Sequence, residues 1–198
     1  MEVTWWEKTV EYRFVFEALK ANKLDFAAPL SGIEERTVGD GIFGKASTFV
    51  LIEFKRDAGQ LNTEKTIFTD YESAREDLKS HNHHVMIYGT PHDTPQSLPV
   101  FREMRLSACH YFNHQTPISP LDTLNNGVPL KDFMSYLDKL MAFKKKDKRS
   151  SSHAGSGQIS MVLGVSAKGA IVQTQTLYQF APRLFPAPTN KITNTFGR

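Results

Sequence analysis

Apolar and polar positions change period several times along the chain, and each change predicts an element. Stepped by 100°, Val3, Trp6, Val10, Phe14 and Ala18 fall within an arc of roughly 120°, which predicts a helix over residues 3–21. Residues 31–55 read as strands around turns, with a tight connection near Gly44 to Ser47. TFVLIEFK, residues 48–55, is the clearest strand, and HHVMIYGT, residues 83–90, reads as a second core strand. Between them YESAREDLKS reads as a helix. Residues 100–113 predict a short helix, and PISPLDTLNNGVP a loop. LKDFMSYLDKLMAFKKK carries Leu130, Phe133, Met134, Leu137, Leu140 and Met141 at helical spacing. SSSHAGSGQ has the composition of a flexible loop. Residues 159–180 read as two strands joined near Ala167–Lys168–Gly169, and a proline-containing tail follows. The expected fold class is α/β, a central mixed β-sheet flanked by helices with a C-terminal β-hairpin extension. One domain, 1–198, is expected, with a core of about 3–90, a helical and hairpin part of about 95–182 and a tail of 183–198.

Composition narrows the function classes. The 198 residues are 40% hydrophobic and 23% charged, which suits a soluble globular chain with a sizeable core. No run of 18 apolar residues exists, so no membrane partner is expected. MEVTWWEKTVEYRF lacks the apolar segment of a secretory signal, and the single Cys109 excludes an internal disulfide or a cysteine-rich zinc site. Together these predict a cytoplasmic protein, although a toxin exported without a signal would look the same. The net charge of +3 is too small to name a partner. Its distribution says more: Lys139, Lys144, Lys145, Lys146, Lys148 and Arg149 crowd one run. That run is either a solvated helix end, where cations suit the negative dipole pole, or a phosphate contact.

The strand at 48–55 carries two charges. Phe49, Leu51, Glu53 and Lys55 share one face, and Val50, Ile52 and Phe54 share the other. Both faces start apolar, so the strand is expected to be central and covered on both sides, with Glu53 and Lys55 at its exposed end. Burying either charge alone costs several kcal/mol. They either pair with each other or bind something that offsets the cost, such as a metal ion and a phosphate. A turn near residues 45–46 would set Asp40 opposite residue 51 or 52, close to Glu53. Two converging carboxylates bind a hard cation, typically Mg²⁺. Lys55 would reach the same place and orient water or neutralise charge on a phosphate.

Asp40–x12–Glu53–Phe54–Lys55, following the helix predicted from Val3, resembles the PD-(D/E)XK nucleases, the restriction-endonuclease-like superfamily. The order of predicted elements matches from Val3 to about Gly89, with Gly39 in place of the proline of the motif's name. The resemblance implies a restriction-endonuclease-like core and hydrolysis of phosphodiesters, in DNA first, with Mg²⁺ as cofactor and Mn²⁺ able to substitute. It implies Asp40 and Glu53 as metal ligands and Lys55 as the residue that positions or deprotonates water. It adds a glutamate from the first helix, with Glu11 favoured over Glu7 and Glu17, and a downstream glutamine, for which Gln60 stands either as that residue or as a helix-cap neighbour. Asp40→Ala, Glu53→Ala and Lys55→Ala are each expected to abolish cutting and leave the fold largely intact. By analogy of fold alone, the setting is restriction, phage defence or a toxin.

No base-reading motif is evident, so target choice would fall to structure, to a homodimer or to a partner protein, with Lys144, Lys145, Lys146, Lys148 and Arg149, together with Lys168, tracking the backbone. His81, His83 and His84 read as exposed histidines at a helix-to-strand boundary rather than zinc ligands. Cys109 reads as a small buried hydrophobe. Trp5 and Trp6 read as core and cap of the first helix. Two other classes stay open: a catalytically silent binding subunit on a nuclease-like fold, and an RNase using the same site.

Overall fold

A central strand buried on both faces organises the molecule. The computed structural model describes residues 5–23, 48–92, 103–144 and 160–181. Strand β1, Thr48–Asp57, is buried from Phe49 to Lys55. It lies inside a six-stranded mixed sheet of order β4-β3-β2-β1-β5-β6. The other strands are β2, His84–His92; β3, Glu103–His110; β4, Asn113–Ile118; β5, Ser160–Val165; and β6, Ile171–Thr176. β1 runs parallel to β2, with Leu51 opposite His84 and Lys55 opposite Tyr88, and antiparallel to β5, with Thr48 opposite Val165 and Glu53 opposite Ser160. The other pairs, β2–β3, β3–β4 and β5–β6, are antiparallel.

Each face of β1 has its own cover. Val50, Ile52 and Phe54 pack with Val10, Phe14 and Ala18 of helix α1, Glu7–Lys20. The Phe14 and Phe54 rings lie 5.8 Å apart. Phe49 and Leu51 pack with Ala74 and Leu78 of α2, Tyr71–Leu78, and with Phe133, Leu137 and Leu140 of α3, Leu130–Phe143. Asp70 caps α2 by accepting from the Ser73 N–H at 3.1 Å and its hydroxyl at 2.7 Å. The parallel β1–β2 pair requires a crossover, which a 3₁₀ segment, Ala58–Ile67, and α2 provide. In a 3₁₀ helix residues three apart align. Leu61, Glu64 and Ile67 therefore form the inward ridge, and Thr63 and Thr66 face outward. The outward hydroxyls support this winding: Thr63 Oγ1 donates to the Gln60 carbonyl at 2.7 Å, and Thr66 Oγ1 to that of Thr63 at 2.8 Å.

Two expectations change. Residues 103–110 form a strand, not a helix, because Met104, Leu106 and Ala108 alternate onto the α1 side of the sheet while β2 takes their backbone groups. The hairpin β5–β6 is no extension: β5 pairs with β1 inside the sheet. At Leu51 and Ile52 β1 pairs with β2 on one edge and with β5 on the other. Asp40 itself lies outside the described residues.

One close approach locks the carboxyl end of β1 to α1. Trp5 Nε1 donates to the Arg56 carbonyl at 2.5 Å, and its ring lies against Gly89. A Cβ at Gly89 would stand 2.0 Å from Trp5 Nε1 and 3.0 Å from the Arg56 carbonyl oxygen. Gly89→Ala is therefore expected to push Trp5 out and lower stability by about 1–3 kcal/mol, as read by urea denaturation with tryptophan fluorescence. An unchanged midpoint would show that Trp5 does not hold this corner.

Candidate functional site

The site gathers where β1 ends and the 3₁₀ segment turns back over it. Period-2 alternation sends Glu53 and Lys55 to the α2–α3 side of the sheet, and both are only 1% exposed. The 3₁₀ ridge brings Glu64, equally buried, onto Lys55, and Lys55 Nζ donates to Glu64 Oε1 in a buried ion pair. The Tyr111 hydroxyl donates to Glu64 Oε2 at 2.5 Å. Tyr111 also stacks on His84, with ring centroids 3.7 Å apart and planes 12° apart. His84 Nδ1 lies 2.5 Å from the Tyr136 hydroxyl, and its Nε2 faces Glu53 Oε1 at 3.9 Å.

Burial dominates the titration of this layer. His84 is held well below the usual histidine range by burial, then by the Lys144 and His83 charges. It is neutral near pH 7 and brings no positive charge to Glu53. Tyr111 and Tyr136 are pushed well above the usual tyrosine range, by burial first; the Glu64 and Glu53 carboxylates add to the shift at Tyr111, and Glu53 at Tyr136. Both hydroxyls thus stay protonated as donors.

A second, half-buried layer lies between this pair and solvent. Turned so that its nitrogen donates, the Gln60 amide reaches Glu7 Oε1 at 3.2 Å and accepts from Arg56 Nη2 at 3.3 Å. The Glu7 carboxyl is raised by burial, with Lys55 and Arg56 opposing and Glu64 reinforcing the shift. Glu7 therefore stands within electrostatic reach of Lys55. Glu11 does not share this place. It lies one turn further along α1 than Glu7, is buried, and takes the Lys8 ammonium at 2.8 Å. Glu17 pairs with Arg13 at 2.7 Å.

The structure brings Gln60 and Glu7 to the carboxyl end of β1, within electrostatic reach of Lys55, and sets Glu53 two residues before Lys55 on the same strand face, toward His84. Two sequence expectations need correction. Glu53 and Lys55 do not end the strand in the open; the 3₁₀ segment and Tyr111 enclose Lys55, so Lys55→Ala would strand a buried carboxylate rather than spare the fold. His83 and His84 are not exposed but 2% and 0% accessible, packed on Tyr136. Cys109 is buried, and its thiol is pushed up to about 11 by that burial. Lys144 lies at the α3 terminus with its field on His84; Lys145, Lys146, Lys148 and Arg149 lie outside the described residues. Tyr111 and Tyr136 carry no signal in the local pattern, and that of Glu64 depends on 3₁₀ winding.

Carboxylate oxygens suit a hard cation; Glu53 lies on the Lys55 face of β1 and Glu7 lies at Gln60. Among the described residues no three His, Cys, Asp or Glu side chains converge as a ligand group, and no helix is long and apolar enough to cross a membrane.

Breaking one partner of a buried ion pair costs about 3–5 kcal/mol, and removing both costs far less. Lys55→Met and Glu64→Gln are each expected to show that loss in urea denaturation, and the double variant is expected to recover most of it; additive losses would show that the two side chains are not coupled. Stability also depends on His83, lowered to about 4 by burial and the His81 charge. The unfolded chain takes up that proton near pH 6.5 and the folded chain does not, so stability is lost as pH falls below 6.5. The loss by pH 5 is about 2 kcal/mol. Glu7, with its raised carboxyl, works weakly the other way. His84, also held below the usual histidine range, adds a loss of the same sign, so His83→Leu is expected to reduce the slope between pH 6.5 and 5 by its own share of about 2 kcal/mol; an unchanged slope would remove His83 as a source. No family model, curated protein or solved structure matches the chain, so the geometry of this site carries the functional reading.

Proposed function

We propose that the chain is a divalent-metal-dependent nuclease on a restriction-endonuclease-like core, hydrolysing phosphodiester bonds in DNA. One observation carries the reading. Glu53 and Lys55 stand side by side on the first strand of a parallel strand–helix–strand unit, and Glu7 from the first helix and Gln60 meet at that strand's carboxyl end. Ligands of open α/β sheets bind outside the carboxyl ends of strands.

Glu53 and Asp40 would hold Mg²⁺, with Mn²⁺ able to replace it, and Glu7 is the first-helix carboxylate best placed to join them. Such an ion, when bound, would supply Lewis acidity at the phosphate and lower the pKa of a bound water. Lys55 carries its charge in fixed position, because Glu64 holds its ammonium and Tyr111 holds Glu64. That preorganised cation can orient water and offset charge growing on the phosphate. Neutral His84 fixes the Tyr111 ring by stacking and leaves the charge balance to Lys55 and the bound ion. Gln60 and Glu7 form the half-buried side through which a phosphate would approach.

A second reading, a catalytically silent binding subunit, is favoured by the near-complete burial of Glu53, Lys55 and Glu64. Supercoiled plasmid and single-stranded RNA, each with Mg²⁺, Mn²⁺ or EDTA, separate the readings. Metal-dependent cutting is expected, with Glu53→Gln and Asp40→Asn each lowering it by about 10²-fold or more while circular dichroism stays unchanged. Cutting of RNA alone would make the chain an RNase. A well-folded wild type that cuts neither substrate with either metal would leave the binding subunit.

A further inference from the structure

We propose that the outward face of α1 is a binding platform for single-stranded nucleic acid. It rests on the nuclease reading only for where the strand leads. Helix α1 buries Val10, Phe14 and Ala18, so a surface helix would show polar residues on its other side. Instead Trp6 is 78% exposed at its N-cap, Tyr12 64% and Phe16 51%. Scattered exposed aromatics need no explanation, but three within eleven residues on one helix do.

The charges on the same helix are sorted by sign. Its exposed charged residues are Lys8, Arg13 and Lys20, all basic, whereas Glu7, Glu11 and Glu17 are buried or half-buried. Basic and aromatic groups are interleaved: Lys8 Nζ lies 5.4 Å from the Tyr12 ring centroid and Lys20 Nζ 5.3 Å from that of Phe16. The pairs that Lys8 and Arg13 make with Glu11 and Glu17 are solvent-facing on the basic side and hence weak. The basic line continues past the helix, where Lys23 lies against Gly169 in the β5–β6 turn beside Lys168.

A partner for this face must carry negative charge at regular intervals and flat apolar rings between the charges. Single-stranded nucleic acid has both: phosphates for the cations and unpaired bases for the rings. A duplex hides its base faces, and an acidic peptide lacks them. The path also points somewhere. Trp6 adjoins Trp5, which is bonded to Arg56, and Glu7, which meets Gln60. A strand laid along α1 would arrive at the carboxyl end of β1.

The test is fluorescence anisotropy of the full chain with a labelled oligothymidylate of about twenty nucleotides, in EDTA across a salt series. The triple variant Trp6→Ala, Tyr12→Ala, Phe16→Ala is expected to bind at least about tenfold more weakly with little change in salt dependence. The triple variant Lys8→Gln, Arg13→Gln, Lys20→Gln is expected to reduce the slope of log K against log salt by about 2. Should the aromatic triple fail to fold by circular dichroism, Tyr12→Ser alone carries the test with a severalfold loss. Wild-type binding that ignores both sets of substitutions overturns the inference. So does a dimer in sedimentation equilibrium, or binding to anionic phosphatidylserine vesicles, that the aromatic triple abolishes while oligonucleotide binding is unchanged. Because EDTA removes cleavage, a chain that binds but never cuts keeps this inference and loses the nuclease reading; one that cuts but binds without α1 does the reverse.

Discussion

A lysine inside a strand covered on both faces must be neutralised where it stands, and much of the structure around β1 follows from that requirement. Lys55 is 1% exposed, and an isolated buried ammonium costs several kcal/mol even after relaxation. Glu64 answers it, and Glu64 in turn needs a donor for its second oxygen, which Tyr111 supplies. This fixes three parts of the chain that are distant in sequence. The 3₁₀ segment must fold back over β1 with Glu64 on its inner ridge. The turn between β3 and β4 must bring Tyr111 over β2, and there the Tyr111 N–H donates to the His84 carbonyl at 2.9 Å. His84 then lies beneath Tyr111 and completes a polar layer inside an otherwise apolar face.

Local pattern was enough for the elements whose burial is strongest. Phe49 to Lys55, Val85 to Ile87 and the Phe133–Leu137–Leu140 stripe each carry one period without conflict, and each forms the element it predicts. Residues 103–110 mislead because Glu103, Met104, Arg105, Leu106 and Ala108 favour helix intrinsically, whereas pairing with β2 decides the outcome. Pairing partners were less legible still. Two edges of β1 had to be shared among several candidate strands, and nothing local distinguishes residues 160–165 from the segment just before β1 as its antiparallel neighbour. The parallel β1–α2–β2 unit forms in the order expected, and the other edge of β1 belongs to β5.

The same limit applies to the site. Glu53 and Lys55 were legible because charges interrupt an apolar strand. Gln60 and Glu7 were legible only as members of a set of candidates, and the set narrows once α1 is seen to present Glu7, rather than Glu11, at the carboxyl end of β1. By local pattern Glu64 is one charge among the polar residues between β1 and α2. The signal lay in the spacing of Leu61, Glu64 and Ile67, which has meaning only if the winding is 3₁₀ rather than α. His83 and His84 looked exposed because histidines at a boundary usually are; Phe133 and Tyr136 from α3 cover His83, and Tyr136 covers His84.

A structural role for Lys55 and a catalytic one are compatible in physical terms. An ammonium has three donors, and a pair with Glu64 that fixes its position lowers the cost of ordering it at the moment of reaction. What such a site then needs is a route for substrate, since Glu53 and Lys55 have almost no surface of their own. Helix α1 supplies both sides of that need. Its buried face, through Val10, Phe14 and Ala18, holds it rigidly on the sheet, and its first turn places Glu7 beside Gln60. Its free face then gains nothing for the fold from Trp6, Tyr12 and Phe16, because exposed rings stabilise little and invite association. Rings kept where they do not serve folding, interleaved with cations on a helix anchored at the end of the charged strand, are explained best by what they would bring to it.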